Sequence, residues 1–275
     1  MGENSGTSKD IDYERPSAAR IYDYLLGGFH NFEVDRAAAQ KFIEMIPDAP
    51  LFMRANRAFL RRVVNFLVSE GIDQFLDLGS GIPTVGNVHE VAQKANPSSR
   101  IVYVDNEPVA VQHSRRILQD NPNAAVIEAD MRQPEMILNH QETQRLLELG
   151  KPVAVLLISV LQFVPEDEEA YRLLRVIREA LAPGSYIAIS HPSDEGYSAE
   201  GYSDERGEQV LTMYDKMGTP VSLRSRAQLE RFFEGLEMVE PGLVRIPLWH
   251  PEDKEDLFID EPALSAAYAG VGRLP

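Results

Sequence analysis

The stretch FLDLGSGIPTVGNVHE, residues 75–90, ends an apolar run in an acid, Asp77, and follows it with Gly79 and Gly81. Two glycines at that spacing permit a tight turn and a close approach of the backbone to a ligand. Asn87, with Glu90 three residues on, forms a capping box for the next helix, whose first N–H groups would face that ligand. Taken alone, G-x-G is also what a plain strand-to-helix turn can carry. The neighbours narrow the reading. Asp105, in YVDNEP, lies 24 residues after Gly81 at the end of the next apolar run, with Asn106 beside it. An acid there is placed to accept hydrogen bonds from both hydroxyls of a ribose. Asp130, in EADMR, ends the third run, where it could bond an adenine amino group, and Ser159 leaves the fourth in LLISVLQFVP. All four groups fall at the carboxyl edge of what would be a parallel sheet, the edge at which such sheets bind ligands.

A reaction on that ligand would draw on other side chains. His191, after a fifth apolar run in IAISHPSDEG, is a candidate general base, although a loop histidine beside Pro192 would look the same. ARIYDYLLGGFHNFEVDR, residues 19–36, gathers Tyr22, Asp23, His30 and Asn31 around Gly27-Gly28. His30 could serve as a base from there, and Asp23 with Tyr22 could meet a cationic group, since a carboxylate and an aromatic face both favour positive charge. Arg54 and Arg57, early in the third helical stretch, could pair with a carboxylate. No His, Asp or Glu cluster shows metal-ligand spacing, so no metal is expected.

The elements that must position these residues follow from hydrophobic periodicity. Residues 1–12 are polar and read as a disordered tail. Residues 13–72 read as a helical cap: a short helix after Ser17 stopped by Gly27-Gly28, a second capped by Asn31, and a third with Ala55, Phe59, Val63, Phe66 and Leu67 as its stripe. Residues 73–275 read as one α/β domain packed as a unit with that cap. Strands are expected at 74–78, 101–104, 125–128, 153–158 and 186–190, each apolar on both faces as in a covered parallel sheet. Helices are expected near 87–95, 107–120, 141–149 and 166–181. EMVEPGLVRIPLW, residues 237–249, reads as a hairpin turned at Pro241-Gly242, adding an antiparallel strand. The single Trp249 is most simply core; Met213 and Met217, at helical spacing, could line an apolar acceptor pocket but are more simply core as well.

Composition limits the partners. Forty-three Asp and Glu against 27 Lys and Arg give a net charge of −16, which repels nucleic acid and anionic lipid. Without cysteine there is neither disulfide nor thiolate metal site, which is compatible with a cytoplasmic home. The polar N-terminus offers no signal peptide, and no apolar run is long enough to span a bilayer.

DLGSGIPT, YVDNEP, EADMR, ISVLQFVP and LAPGSYIAISH resemble the ordered motifs of Rossmann-like S-adenosylmethionine-dependent methyltransferases. More narrowly, RPSAARIYDYLLGGFHNFEVDRAAA, MRANRAFLRR, GIPTVGNVHEVAQ and RSRAQLERFFEGLEMVEPGLV resemble a bacterial S-adenosyl methyltransferase family first catalogued as a domain of unknown function. The resemblance runs from about Tyr13 to the C-terminus. It implies a doubly wound, mostly parallel sheet and S-adenosyl-L-methionine as cofactor. It further implies that Asp77, Gly79, Ser80 and Gly81 surround the methionine part, Asp105 with Asn106 meets the ribose, Asp130 and Met131 line the adenine, and Ser159 lies near the sulfonium or amino end. Tyr22 and Arg54 complete the cofactor-binding set; His191, His30 and Asp23 are the catalytic candidates. Many methyltransferases carry a third glycine where this chain has Pro83, so the loop should follow another path and the helix should begin after Asn87. A small-molecule methyl acceptor is expected. Two alternatives stand: an NAD(P)-dependent oxidoreductase, which normally takes G-x-G-x-x-G where this chain has Thr84, and a non-catalytic S-adenosylmethionine-binding module.

Overall fold

The fold comes from a computed structural model, which describes residues 11–83, 86–195, 204–252 and 257–275. The expected tail falls outside the described residues except for Ile11 and Asp12. Ile11 packs against Ile82, Val109 and Ala110, and the exposed Asp12 carboxylate accepts the backbone N–H of Glu14 and Arg15.

Five parallel strands carry the domain: β1 Gln74–Leu78, β2 Arg100–Asp105, β3 Ala124–Glu128, β4 Ala154–Ile158 and β5 Tyr186–Pro192. They lie in the order β3-β2-β1-β4-β5, so the chain reverses direction of winding between β1 and β4. Alternating side chains feed two cores. Leu76, Leu78, Val102, Val104, Val155 and Leu157 pack on one face, against helices α6 Pro134–Leu138, α7 Gln141–Leu146, α8 Asp167–Ala180 and α10 Arg226–Arg231. Phe75, Ile101, Tyr103, Ala154 and Leu156 pack on the other, against α3 Ala49–Ser69 and α4 Val88–Ala95. Helix α5 Pro108–Leu118 follows β2.

The antiparallel addition differs from a hairpin. The strand next to β5 is β8, Ala267–Arg273, which the sequence reading did not mark. The two expected hairpin strands, β6 Glu237–Met238 and β7 Val244–Arg245, both pair with β8 rather than with each other. They lie end to end along its outer edge, and the Pro241-Gly242 turn bulges out between them. Trp249 is fully buried, edge-on to Phe59 and Phe66, as a core residue would be.

Helices α1 Ala18–Leu25 and α2 Glu33–Met45 pack on each other. They share a core of Ile21, Leu25, Phe42, Ile46 and Phe52 with Val210 and Met217 of the distant helix α9 and its end, α9 spanning Asp204–Lys216. The cap is therefore built from both ends of the chain, while most of α3 belongs to the sheet sandwich. Two of its expected caps are made differently. Asn31 does not cap α2; Asp35 accepts the backbone N–H of Phe32 and of Ser17, tying α2 to the start of α1. Arg20, 2% exposed, then bridges the cap to the sheet, reaching Asp35 at 2.8 Å and Glu107 at 2.9 Å.

Candidate active site

Where β1 and β4 part, the strand ends open into a cleft of about 580 Å³, within the roughly 300–1,000 Å³ usual for cofactor and small-molecule sites. Its sheet side is lined by Asp77, Gly79, Ser80, Gly81, Asp105, Asn106, Asp130, Met131 and Ser159; its cap side by Arg15, Tyr22, Met53, Asn56, Arg57, Tyr214, Met217 and Thr219. Nine sequence-selected residues from four strand ends thus reach one cavity, joined by Tyr22.

The glycine loop is held from behind. Gly79 and Gly81 have φ of 69° and 67°, the left-handed region that favours glycine. A Cβ on Gly79 would lie 2.1 Å from Val160 Cγ2, so the loop packs against the segment after β4; a Cβ on Gly81 would meet nothing within 4 Å. Asp105 fixes the loop's height: Oδ2 accepts the N–H of Gly81 at 2.7 Å and Oδ1 that of Glu107 at 2.8 Å. A carboxylate has about four lone-pair sites, so two such bonds leave room for ligand hydroxyls. Burial pushes the Asp105 carboxyl up to about 6 against the pull of these N–H groups. Burial likewise pushes Asp77 up to about 7, with the Arg57 guanidinium opposing and the Asp105 charge adding.

These shifts predict a pH dependence. The folded protein keeps a proton on Asp77 where the unfolded chain, titrating near 4, has lost it. The contribution of Asp77 to stability is therefore greatest below about pH 4 and falls as pH rises towards about 7. Denaturant unfolding across that window should show wild-type stability declining relative to Asp77→Asn; parallel curves would contradict the assignment.

Other expectations need correction. His191 does not face the cleft. Strand β5 continues through Pro192, with His191 opposite Tyr268 of β8, and this turns the imidazole inward. It is 1% exposed, Nδ1 lies 2.6 Å from the Pro192 carbonyl and Nε2 lies 2.9 Å from Arg224 Nη1. Burial lowers its pKa to about 3, so it is neither placed nor basic enough to take a proton from a ligand. Asp23 and His30 also lie outside the cleft lining. Asp23 closes its own turn: Oδ2 accepts the His30 N–H and Asn31 Nδ2, each at 2.8 Å, and a Cβ on Gly28 would lie 2.1 Å from Oδ1. The polar crowd around Gly27-Gly28 is thus a self-contained turn, and the His30 ring rests on His113 at 3.8 Å. Arg54 is exposed and away from the cleft; Arg57, three residues on, lines it. Asp130 lines the cleft with its carboxylate gripped by Arg132, Nε lying 3.0 Å from both oxygens. The N-terminus of α4 stands back from the large cleft, because the helix begins only at Val88. Glu90 caps it by accepting the Asn87 N–H at 2.9 Å, as the capping-box spacing predicts.

Sequence reasoning missed Arg15, Asn56, Tyr214 and Thr219 as lining residues; Gln162 it placed at the same edge as Ser159 without a role. Only Asn56 carried a local signal, one position before Arg57 on the same helix.

The cavity suits a nucleoside cofactor with an amino-acid tail. Ser80 Oγ and Gln162 Oε1, both on lining residues, are buried and have no hydrogen-bond partner among the described residues. Such atoms are costly unless a ligand completes them. A doubly wound parallel sheet, a glycine loop after β1 and an acid at the end of β2 are the frame that Rossmann-like S-adenosylmethionine-dependent methyltransferases share with dinucleotide-binding enzymes.

Comparison with known proteins narrows this. The family model described as S-adenosyl methyltransferase matches residues 4–275. The chain belongs to that S-adenosyl methyltransferase family, with S-adenosyl-L-methionine as its cofactor. It is similar to a DUF574 family protein from Streptomyces avermitilis MA-4680, at 38% identity and TM-score 0.90 over 97% of this chain and 100% of that one. It is also similar to a protein described as a candidate methyltransferase from Thermobifida fusca YX, at 39% identity and TM-score 0.87 over 96% of each chain. The plantazolicin methyltransferase BpumL, solved with S-adenosylhomocysteine, shares the fold at 14% identity and TM-score 0.50, covering 94% of this chain and 95% of that one. Among curated proteins no match is found. The family sets aside both the oxidoreductase and the non-catalytic alternatives. Among the described residues no helix is long and apolar enough to cross a membrane.

Proposed function

We propose that the enzyme methylates a small, partly apolar molecule that enters from the cap side of the cleft. The observation that carries this reading is the division of one continuous cavity into a polar sheet edge and a wall of Tyr22, Met53, Phe163, Tyr214, Met217 and Pro220. In this reading Asp77 and residues 79–81 hold the methionine part of the cofactor, Arg57 its carboxylate, Asp105 and Asn106 the ribose, Met131 and Asp130 the adenine edge, and Ser159 the region of the sulfur. Bound there, S-adenosylmethionine supplies a methyl group activated by a sulfonium leaving group. The chain's own contribution is to align the acceptor at about 3–3.5 Å and to exclude water, which together account for much of such a rate enhancement. A net charge of −16 disfavours nucleic acid as the acceptor.

Among the described residues no histidine lines the cleft; its cap side offers the neutral polar groups of Tyr22, Asn56 and Thr219, and Gln162 stands beside Ser159. An acceptor that is already nucleophilic near neutral pH, such as a thiolate, an acidic phenolate or a neutral amine, fits this set. The test is release of S-adenosylhomocysteine from S-adenosylmethionine with a panel of small phenols, thiols and amines beside unstructured peptides and oligonucleotides. Turnover confined to small molecules, with a rate following the acceptor's own ionisation, is expected. Turnover only on the macromolecules would contradict the proposal.

A further inference from the structure

Among the described residues four arginines and no lysine line the cleft. Arg20 holds Asp35 and Glu107, and Arg132 grips Asp130. Arg57 is the residue read above as the partner of the cofactor's own carboxylate. Arg15 is the fourth, and its guanidinium meets a main-chain oxygen in place of an acid: Nε donates to the Met217 carbonyl at 3.0 Å. Asp12, three residues before it, turns Oδ1 to the backbone N–H of Glu14 and Arg15, at 2.9 and 3.1 Å. Among the described residues the Arg15 side chain therefore has no carboxylate partner.

The end of α9 holds this cation in place. Gly218 has φ of 70° and closes the helix, its N–H donating to the Asp215 carbonyl at 2.8 Å while the Thr219 N–H donates to the Tyr214 carbonyl at 3.1 Å. A helix C-terminus favours positive charge, and here the Met217 carbonyl takes Arg15 Nε. Arg15 Nη2 stands in the space that a Gly218 side chain would fill. One edge of the guanidinium is thus fixed, and both Nη groups remain without an acceptor among the described residues. Arg15 is exposed, so water serves them in the empty cleft. Its neighbours along the cleft are Met217 and Pro220, in the wall where Phe163 and Tyr214 pack with ring centroids 6.2 Å apart. A cation set in an apolar, aromatic wall suits a ligand with an apolar body and one anionic end.

We propose that the methyl acceptor is a ring-bearing carboxylic acid and that Arg15 binds its carboxylate through the two Nη groups. This rests on the reading that a small, partly apolar acceptor lies against that wall. Charge decides the class. A chain of net charge −16 repels anions at long range, so an anionic acceptor needs a cation waiting in the cleft. The acids that could instead recruit a cationic acceptor are engaged: Asp105 by two backbone N–H groups, Asp130 by Arg132 and Glu107 by Arg20. A guanidinium fork matches one planar carboxylate in shape and in charge. A phosphate monoester, with nearly two charges near neutral pH, would keep part of its charge uncompensated beside those acids.

Calorimetric titration of the full chain saturated with S-adenosylhomocysteine tests this with naphthoate, naphthamide and naphthyl phosphate, which share a ring system and differ in the charged end. Naphthoate should bind about tenfold more tightly than naphthamide, the low end for a hydrogen bond to a charged group because Arg15 is open to solvent. It should also bind at least as tightly as the phosphate. Arg15→Gln, at wild-type melting temperature, should bring acid and amide to equal affinity while S-adenosylhomocysteine binds as before; a merely structural role would weaken acid and amide alike. Should Arg15→Gln fail to fold, Arg15→Lys decides, since it keeps the charge, loses the fork and should cut the preference for the acid. Equal binding of acid and amide by the wild type, tighter binding of the phosphate, or a preference that survives these substitutions undiminished overturns the proposal. Binding of none of the three to the S-adenosylhomocysteine complex would instead overturn the small, partly apolar acceptor itself, so the two failures are distinguishable.

Discussion

Gly79→Ala is expected to destabilise the protein by about 2–5 kcal/mol, the largest effect of any single-methyl change in the site. Two costs combine. A left-handed conformation costs an alanine about 1–2 kcal/mol, and the new methyl would meet Val160 Cγ2 at 2.1 Å, an overpacking that typically costs about 1–3 kcal/mol. Val160 cannot retreat freely, since it is 7% exposed and belongs to the core under the loop. Gly81→Ala is the control. Its φ of 67° carries the conformational cost, but its Cβ points into open space, so the fold should lose only about 1–2 kcal/mol. The Gly81 methyl should instead occupy space the cofactor needs. Denaturant unfolding and cofactor titration of both variants should therefore separate, Gly79→Ala failing mainly in stability and Gly81→Ala mainly in affinity. Equal stability losses would mean that the loop does not pack as described.

Asp105→Asn is expected to weaken S-adenosylmethionine by about 1–3 kcal/mol, the cost of leaving buried polar groups unpaired. The carboxylate holds Gly81 and Glu107 by their N–H groups and, in the proposed reading, the ribose hydroxyls as well. An amide keeps one acceptor oxygen and turns a donor NH₂ towards one of those donors. Because burial already pushes the Asp105 carboxyl up to about 6, removing its charge offsets part of the cost of that unpaired donor in the unliganded fold above that pH. Affinity should thus fall by more than stability. Unchanged affinity in a folded variant would remove Asp105 from the site.

The sheet was legible in the sequence because its five parallel strands are covered on both sides and read as unbroken apolar runs. β8 was not, for a reason visible in its glycines. AYAGVGR looks like a turn, yet Gly270 and Gly272 are bare because Phe233, Leu236 and Met238 pack where their side chains would be, the nearest at 2.8–3.2 Å. Missing β8 also misplaced His191: read without a partner strand, β5 ends at Ser190 and the histidine after it falls in a loop. The pairing of His191 with Tyr268 carries the strand two residues further and buries the ring beside Arg224 and Phe232.

The site shows the same division. Strand-end acids and glycines announce themselves by their place after apolar runs. The cap residues do not, because what brings Tyr214, Met217 and Arg15 to the cleft is packing between segments about two hundred residues apart; Arg15 Nε reaches the Met217 carbonyl at 3.0 Å. ARIYDYLLGGFHNFEVDR sends one of its polar side chains to the cleft and keeps the others in its own turn. Asp23 Oδ2 holds His30 and Asn31 within the turn, and Tyr22, one residue before Asp23, is the side chain that reaches the cavity. Helical spacing similarly separates exposed Arg54 from cleft-lining Arg57.

Amide hydrogen exchange of the full chain with and without saturating S-adenosylhomocysteine tests the central claim most directly. The account predicts slower exchange at once in residues 79–82, 105–107 and 159–163 at the strand ends and in residues 15–22 of the cap. Protection confined to other parts of the chain, or identical exchange in all four segments despite saturating ligand, would contradict it.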